Sequence, residues 1–515
     1  MMKKEFNPRL EWKSEIPVPV CTEHPEFNEL YRIAWDLAHD HMLDIPGMPQ
    51  TPYMDEAFCD TDIWIWDSCF MALFCKYAQS RFPGVETLKN FYKVLYDGGQ
   101  LPEIVSRNAP AWTGVLPGQK TRMVIHIMDN PPLFAWAEYQ NALFSGDREH
   151  VADLLLKKRY LQKHFEALEA LKTRTRIPGV RSETCWIKHE KGYFWEGGRS
   201  GMDNTPRGRI GEHAEENRPN NPDMLWIDAI SQQGLAAFCI AALAELIGEK
   251  TLAGEWNARY EAIRETVNRN YWDENDGCYY DIGSTHGEFM KILTPASFWP
   301  LVSGMGTPAQ AEALSRLLTD PRKLGGVVPL VSLARDDADF NRDDGRYWRG
   351  SVWVPTAYAA IKGIERYGMY SLARELSGKI LTHMYETFRQ YEPHTIWECY
   401  HPERPEPARS CDENTRIVRS NFCGWSALAP IGLYLENVIG IYSVNAFTDT
   451  VKWALPERFA GELGVRNFRF GETVADLIAF EGSVFVISNR PFTLIVNGRR
   501  FSIPAGSSRQ TLSVE

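Results

Sequence analysis

Apolar residues recur at helical spacing along most of this chain, and the runs that carry them come in pairs broken by a single Gly or Pro turn. About twelve such segments can be placed, near residues 24–43, 65–81, 85–97, 131–145, 148–175, 227–247, 249–271, 293–304, 308–318, 350–367, 369–389 and 420–437. Ile247-Gly248 and Tyr367-Gly368 each separate two of them, and a helix stopped at glycine and restarted at once is an antiparallel αα-hairpin. Six hairpins closed in a ring make an (α/α)6 toroid with an apolar inner layer and an amphipathic outer one; a less regular helical bundle would give the same count. After about Gly440 the helical period disappears. Short alternating runs replace it at Ser483–Ser488, Phe492–Val496 and Phe501–Ile503, and Asn497-Gly498 is a type I′ hairpin signal. The expected fold class is all-α, an (α/α)6 barrel over residues 1–440 including an N-terminal lead-in, with a small C-terminal antiparallel β appendage over 441–515.

Between the helices lie long segments, 98–130, 176–226, 272–292, 319–349 and 390–419, rich in Gly, Pro, Trp, Asp and Arg. Loops of that length inside a compact domain are functional or disordered, and their aromatic content speaks against disorder. Seventeen Trp, 21 Tyr and 25 Phe suit a sugar-binding cleft, because apolar sugar faces stack on indole rings; core packing is the plainer use of any single Trp. The net charge of −11 and the lack of a basic block argue against a nucleic-acid or anionic-membrane partner. No apolar run is expected to reach the ~18 residues of a membrane span. Ten cysteines without a CxxC pair give no zinc framework. No calcium loop is read, and Asp336-Asp337-Ala338-Asp339 and Asp343-Asp344 are taken as solvated charge. No metal and no cofactor are expected. The expected location is cytoplasmic, or periplasmic where a signal peptide has been removed, and the oligomeric state is left open.

Four segments could carry chemistry. In Gly192–Arg207 three glycines, two basic residues and two carboxylates follow Tyr193-Phe194-Trp195, and Asp203 stands on a turn stiffened by Thr205-Pro206, with the Asn204 amide placed to orient it. Partial desolvation there would raise a carboxyl toward the range of a general acid; a helix-capping or turn-capping Asp is the structural alternative. In Thr395–Glu403, Glu398 sits between Trp397 and Tyr400, as a base that activates water requires, or else as an ordinary surface ion pair. Arg346–Pro355 brings Trp348, Arg349 and Trp353 to a helix start, and Trp64–Phe70 does the same with Trp66 and Asp67. Asp67 could cap its helix or accept from vicinal hydroxyls.

Taken in order, WIWDSCF, SGMDNTPR, YWRGSVWVP and WECYHPE resemble the motifs of glycoside hydrolase family 63, a group related to the trehalases of family 37. Pro131-Pro132, Trp226-Ile227-Asp228 and Phe422-Cys423-Gly424-Trp425 fit the same resemblance, which runs from about residue 60 to 440. It implies the (α/α)6 barrel and an exo-acting inverting α-glycosidase working on a short α-glucoside or related oligosaccharide. Asp203 matches the general acid and Glu398 the general base; Trp66, Asp67, Trp348, Arg349 and Trp397 match positions lining the pocket. Trp195, Asn204, Arg207, Asp228, Trp353 and Tyr400 complete the expected substrate-binding set. Two departures stand out: Arg199-Ser200-Gly201 where the family often has Glu-Ser-Gly, and Ser351 where Pro commonly follows the YWRG glycine. The competing readings are a polysaccharide lyase, which would need basic residues for a carboxylated polymer, and a non-catalytic sugar-binding toroid, which would have lost one carboxylate.

Overall fold

The structure, a computed structural model, describes residues 11–57, 62–95, 99–106, 131–174, 185–208, 221–411 and 414–512. Its helices are α1 (Glu26–Asp40), α2 (Ile65–Cys75), α3 (Gly84–Lys93), α4 (Phe134–Ser145), α5 (Arg148–Ala152), α6 (Tyr160–Ala170), α7 (Ile227–Ile247), α8 (Lys250–Asn270), α9 (Trp299–Val302), α10 (Pro308–Thr319), α11 (Val354–Arg366) and α12 (Tyr370–Gln390), followed by a π-helical segment, Ala429–Val438. Gly248 and Gly368 both take positive φ, 90° and 81°, where a β-carbon would be strained, and so end one helix and release the next. Packing runs in a closed circuit: α2 on α4, α4 on α7, α7 on α9, α9 on α11, α11 on Ala429–Val438, and that segment back on α2. Every residue of α2 is buried, whereas its neighbour α3 is amphipathic. α8 covers α7, and α1 and α12 cover the π-helical segment.

Where the expected helices fail, the backbone explains it. The run 148–175 breaks at Arg159, whose φ of 54° is left-handed, after a π-helical turn over Asp153–Lys158. The run 293–304 becomes a 3-10 turn, Pro295–Phe298, leading into the four-residue α9, because Pro295 and Pro300 donate no backbone hydrogen bond. Parts of 176–226 and 272–292, read as loops, form a five-stranded sheet in the order Phe289–Met290, Asp281–Gly283, Met224–Leu225, Gly192–Phe194, Ile187–His189. Strands of two or three residues are too short for alternation to betray them. α7 itself is long and apolar enough to cross a membrane, against expectation, but it is largely buried among the other helices.

The C-terminal strands follow the predicted runs, with Val484 and Val486 buried while Phe485 and Ile487 face outward. Asn497 and Gly498 have φ of 48° and 82°, as a type I′ turn requires. One pairing departs from a purely antiparallel appendage, and another, antiparallel one brings in the N-terminal strand. Thr450–Trp453 pairs parallel with Phe492–Val496, and the N-terminal strand Val18–Cys21 pairs with Leu463–Phe470, so both ends of the chain build one sheet.

Polar groups gather at both ends of the helix circuit. At the C-terminal end, Glu436 accepts from Lys76 (2.7 Å) and Tyr358 (2.9 Å), and Lys362 lies between Glu436 and Glu365 beside a cavity of about 380 Å³. The cations suit helix C-termini, and Lys362 and Lys76 hold the Glu436 carboxyl down at about 2 against its burial. The candidate catalytic residues lie at the other end, where the inner helices begin.

Candidate active site

The loop carrying Asp203 is built on glycine. A β-carbon on Gly201, whose φ is 81°, would lie 2.4–2.7 Å from three atoms of the Trp66 ring, so only glycine lets the backbone approach that indole so closely. The Ser200 hydroxyl bonds the Gly197 carbonyl (2.8 Å) and receives the Met202 N–H (3.2 Å), and Met202 is buried. Asp203 therefore leaves a rigid turn half-buried. Its neighbour Asn204 does not direct its amide to the Asp203 carboxyl: Nδ2 donates to the Arg346 carbonyl (2.9 Å) and Oδ1 accepts from the Trp348 N–H (2.8 Å). Arg349 adds a bond from Nε to the Asn204 carbonyl (3.1 Å) and one to Asp339 (3.3 Å). The acid's loop and the YWRG loop are thereby clipped together, and Asp339 is part of that clip rather than idle charge.

Glu398 is buried on the segment Trp397–Tyr400, which bridges to Val352 and Ser420. Its Oε1 accepts from the Tyr347 hydroxyl (2.8 Å) and its Oε2 from the Arg419 backbone N–H (3.1 Å), with the Arg419 guanidinium 3.4 Å away. Trp425 Nε1 (2.9 Å) and the Ser426 hydroxyl (3.1 Å) hold its carbonyl. Donors to both oxygens fix the plane of the carboxyl.

Asp67, in the first turn of α2, lies near both carboxyls. Burial pushes its own carboxyl well above the usual range; its backbone amide opposes that, and the charges of Glu398 and Asp203 reinforce it. Its Oδ1 has no hydrogen-bond partner among the described residues, nor do the indole N–H groups of Trp348 and Trp397. Trp66 packs against Trp425 (centroids 5.8 Å) and Trp348 (6.2 Å), and Trp348 stacks flat on Trp353 (4.1 Å, 6°). Tyr347, edge-on to Trp353, is also pushed up by burial and then by Glu398 and Asp203. Asp67 and Tyr347 thus lie within electrostatic reach of both carboxyls, and the four motifs meet in one place.

Five expected substrate-binding residues belong instead to the frame behind it. Arg207 is buried and clamps Asp228 (2.6 and 2.9 Å) and Asp281 (2.7 and 2.9 Å) under the Trp226 ring, while Asp281 Oδ1 also caps α7 through the Ile227 N–H (2.8 Å). With every guanidinium face committed, neither Arg207 nor Asp228 is available to a sugar. Trp195 packs edge-on against Trp186 and Trp226 in the core. Trp353 backs Trp348 and donates to the Tyr347 carbonyl (3.2 Å), and the Tyr400 hydroxyl accepts from the Trp397 N–H (3.1 Å). Arg199, the departure from the family pattern, pairs with Glu103 and Glu196. Segments 107–130, 176–184 and 209–220 of the long inter-helix loops lie outside the described residues.

Tyr347, Arg419, Trp425 and Glu56 were not among the candidate residues. Glu56 is fully buried, accepts from the Trp64 N–H (3.0 Å) and is raised by burial and by Asp67. Tyr347 stands inside a quoted motif directly before the candidates Trp348 and Arg349; Arg419 carries no local signal at all.

Residues 61–414 match the family described as mannosylglycerate hydrolase MGH1-like glycoside hydrolase domain. A mannosylglycerate hydrolase of Rubrobacter radiotolerans is 25% identical over 385 residues, covering 62% of this chain and 82% of that protein. The solved family 63 mannosylglycerate hydrolase of Thermus thermophilus, in complex with glucose, superposes with a TM-score of 0.56 at 19% identity, over 78% of this chain and 99% of that one. A sialidase structure aligns over 97% of this chain and 42% of its own length, with a TM-score of 0.65 and 12% identity. Four motifs converging on two carboxyls and a family match across most of the helical region lead to one assignment: the chain belongs to the MGH1-like glycoside hydrolases and is a glycoside hydrolase of the family 63 type.

Proposed function

We propose that the protein is an exo-acting, inverting α-glycosidase on a short α-glucoside, α-mannoside or related oligosaccharide, with Asp203 as general acid and Glu398 as general base. The observation that carries this reading is that the Tyr347 hydroxyl donates to Glu398 (2.8 Å) while Tyr347 and the buried Asp67 both lie near enough to Asp203 and Glu398 to be raised by their charges, which supports a shared site for the two carboxyls. The circuit of inner helices supports the (α/α)6 barrel, with the site at the end where those helices begin. Residues 441–512, joined by Val18–Cys21, then form its β appendage.

Asp203 protonates the glycosidic oxygen as the bond to the anomeric carbon breaks. Glu398 takes a proton from the water attacking that carbon from the opposite face. A carboxylate offers about four lone-pair sites, so the donors from Tyr347 and Arg419 leave acceptor capacity for that water. Trp66 and Trp348 supply an aromatic wall, and Asp67 Oδ1 and the Trp348 and Trp397 N–H groups supply partners for sugar hydroxyls. Inversion requires carboxyls about 6.5–9.5 Å apart, against about 5–5.5 Å for retention.

A panel of α-glucosides, α-mannosides and glycosylglycerates, followed by proton NMR in the first minutes of hydrolysis, tests the reading. The β anomer is expected first. Asp203→Asn and Glu398→Gln should each lose about a hundred- to ten-thousandfold in turnover while folding normally. An initial α product refutes inversion, and near-normal turnover in either folded variant removes that residue from the mechanism.

A further inference from the structure

The turn that carries Tyr347 is strained, and every strained unit is tied down. Arg346 and Tyr347 have φ of 30° and 63°, a left-handed pair without a glycine between them. Such residues persist only where their surroundings over-determine them. Here the Arg346 N–H donates to Asp344 (2.8 Å) and the Arg346 carbonyl accepts from Asn204 (2.9 Å). The Tyr347 N–H donates to the Arg409 carbonyl (2.8 Å), and its own carbonyl accepts from Trp353 (3.2 Å). The turn's effect on the site is to stand the Tyr347 ring edge-on to Trp353, with its hydroxyl 2.8 Å from Glu398 Oε1.

We propose that Tyr347 is a positioning residue for Glu398, holding the base ionised and in one plane so that it faces the attacking water. The inference rests on the reading of Glu398 as general base. Burial and the neighbouring carboxylates keep the Tyr347 hydroxyl protonated throughout the working range, so it acts as a permanent donor and does not compete for the proton that Glu398 must take. A donor to the charged form lowers a carboxyl's pKa. Removing it raises that pKa, and the acidic limb of the pH–rate profile moves up with it. The other groups facing Glu398 oppose one another: the Arg419 guanidinium and backbone N–H favour the anion, while Asp67 and Asp203 disfavour it. Tyr347 adds a neutral side-chain donor to this set.

The test is Tyr347→Phe, which keeps the ring, in the full-length protein. Carbon-13 NMR of glutamate-labelled protein, with the Glu398 carboxyl assigned by its absence in Glu398→Gln, reads the titration without any substrate. The midpoint should rise by about one pH unit, roughly the effect of one hydrogen bond to a charged group. On a cleaved α-glycoside, kcat should fall about tenfold or more at neutral pH with KM little changed, and the acidic limb should shift by the same amount. Should Phe destabilise the turn, Tyr347→Asn, which tolerates positive φ, should give the same titration shift. An unchanged Glu398 midpoint in a folded variant overturns the proposal. Full turnover in Glu398→Gln overturns the general-base reading instead, and the two failures are told apart.

Discussion

Gly201→Ala probes the coupling between fold and chemistry most directly. The added β-carbon would meet three atoms of the Trp66 ring at 2.4, 2.5 and 2.7 Å, inside any real carbon–carbon contact. The indole cannot swing aside, since Phe70, Trp348 and Trp425 hold it with centroids 5.5, 6.2 and 5.8 Å away. The loop must therefore lift, and Asp203 is two residues further on. A left-handed alanine costs about 1–2 kcal/mol, and overpacking a filled site costs about 1–3 kcal/mol, so stability should fall by about 2–5 kcal/mol. A displacement near 1 Å at a catalytic group can cost about a hundredfold in rate. Gly198→Ala is the control, because nothing among the described residues lies within 4 Å of its β-carbon position. Denaturant unfolding and kcat on the best substrate of the panel, measured for both variants, give the answer. If Gly201→Ala matches Gly198→Ala in both, the stacking of this loop on Trp66 does not position the acid.

Arg207→Met strands Asp228 and Asp281 in the core and should cost about 3–5 kcal/mol. Asp281, already raised by burial, then loses the cation that opposes that shift, so the deficit should widen as pH rises from 5 to 8; urea melts at the two pH values check it. Asn204→Ala leaves the Trp348 N–H and the Arg346 carbonyl without their partner, costing about 1–3 kcal/mol, and kcat should fall more steeply than stability. At the opposite end of the helices, burial raises Glu365 from 4.5 to about 7, so its contribution is present below pH 4.5 and lost as pH rises through 7. The loss is up to about 3 kcal/mol, and Glu365→Gln should flatten the stability profile between those limits; an unchanged slope refutes it.

Periodicity alone placed α7, α8, α11 and α12 to within a few residues, because each buries a continuous face and ends at Gly or at a change of period. The C-terminal strands and the Asn497-Gly498 turn were legible for the same reason: local conformational preference and burial agree along the chain. The two catalytic candidates were legible only through motif resemblance, since a carboxyl beside a Trp is common in any loop. Which motif residues face the site was decided by tertiary structure. Arg207 and Asp228 look like ligands in sequence, yet Asp281, far along the chain on a three-residue strand, completes a buried clamp that consumes them. Tyr347 looks like filler between Arg346 and Trp348, yet a left-handed turn held by Asp344, Asn204, Arg409 and Trp353 aims it at Glu398. Local propensity is a property of neighbours in sequence, whereas the direction of a side chain on a strained turn is set by long-range hydrogen bonds that exist only once the helices have packed.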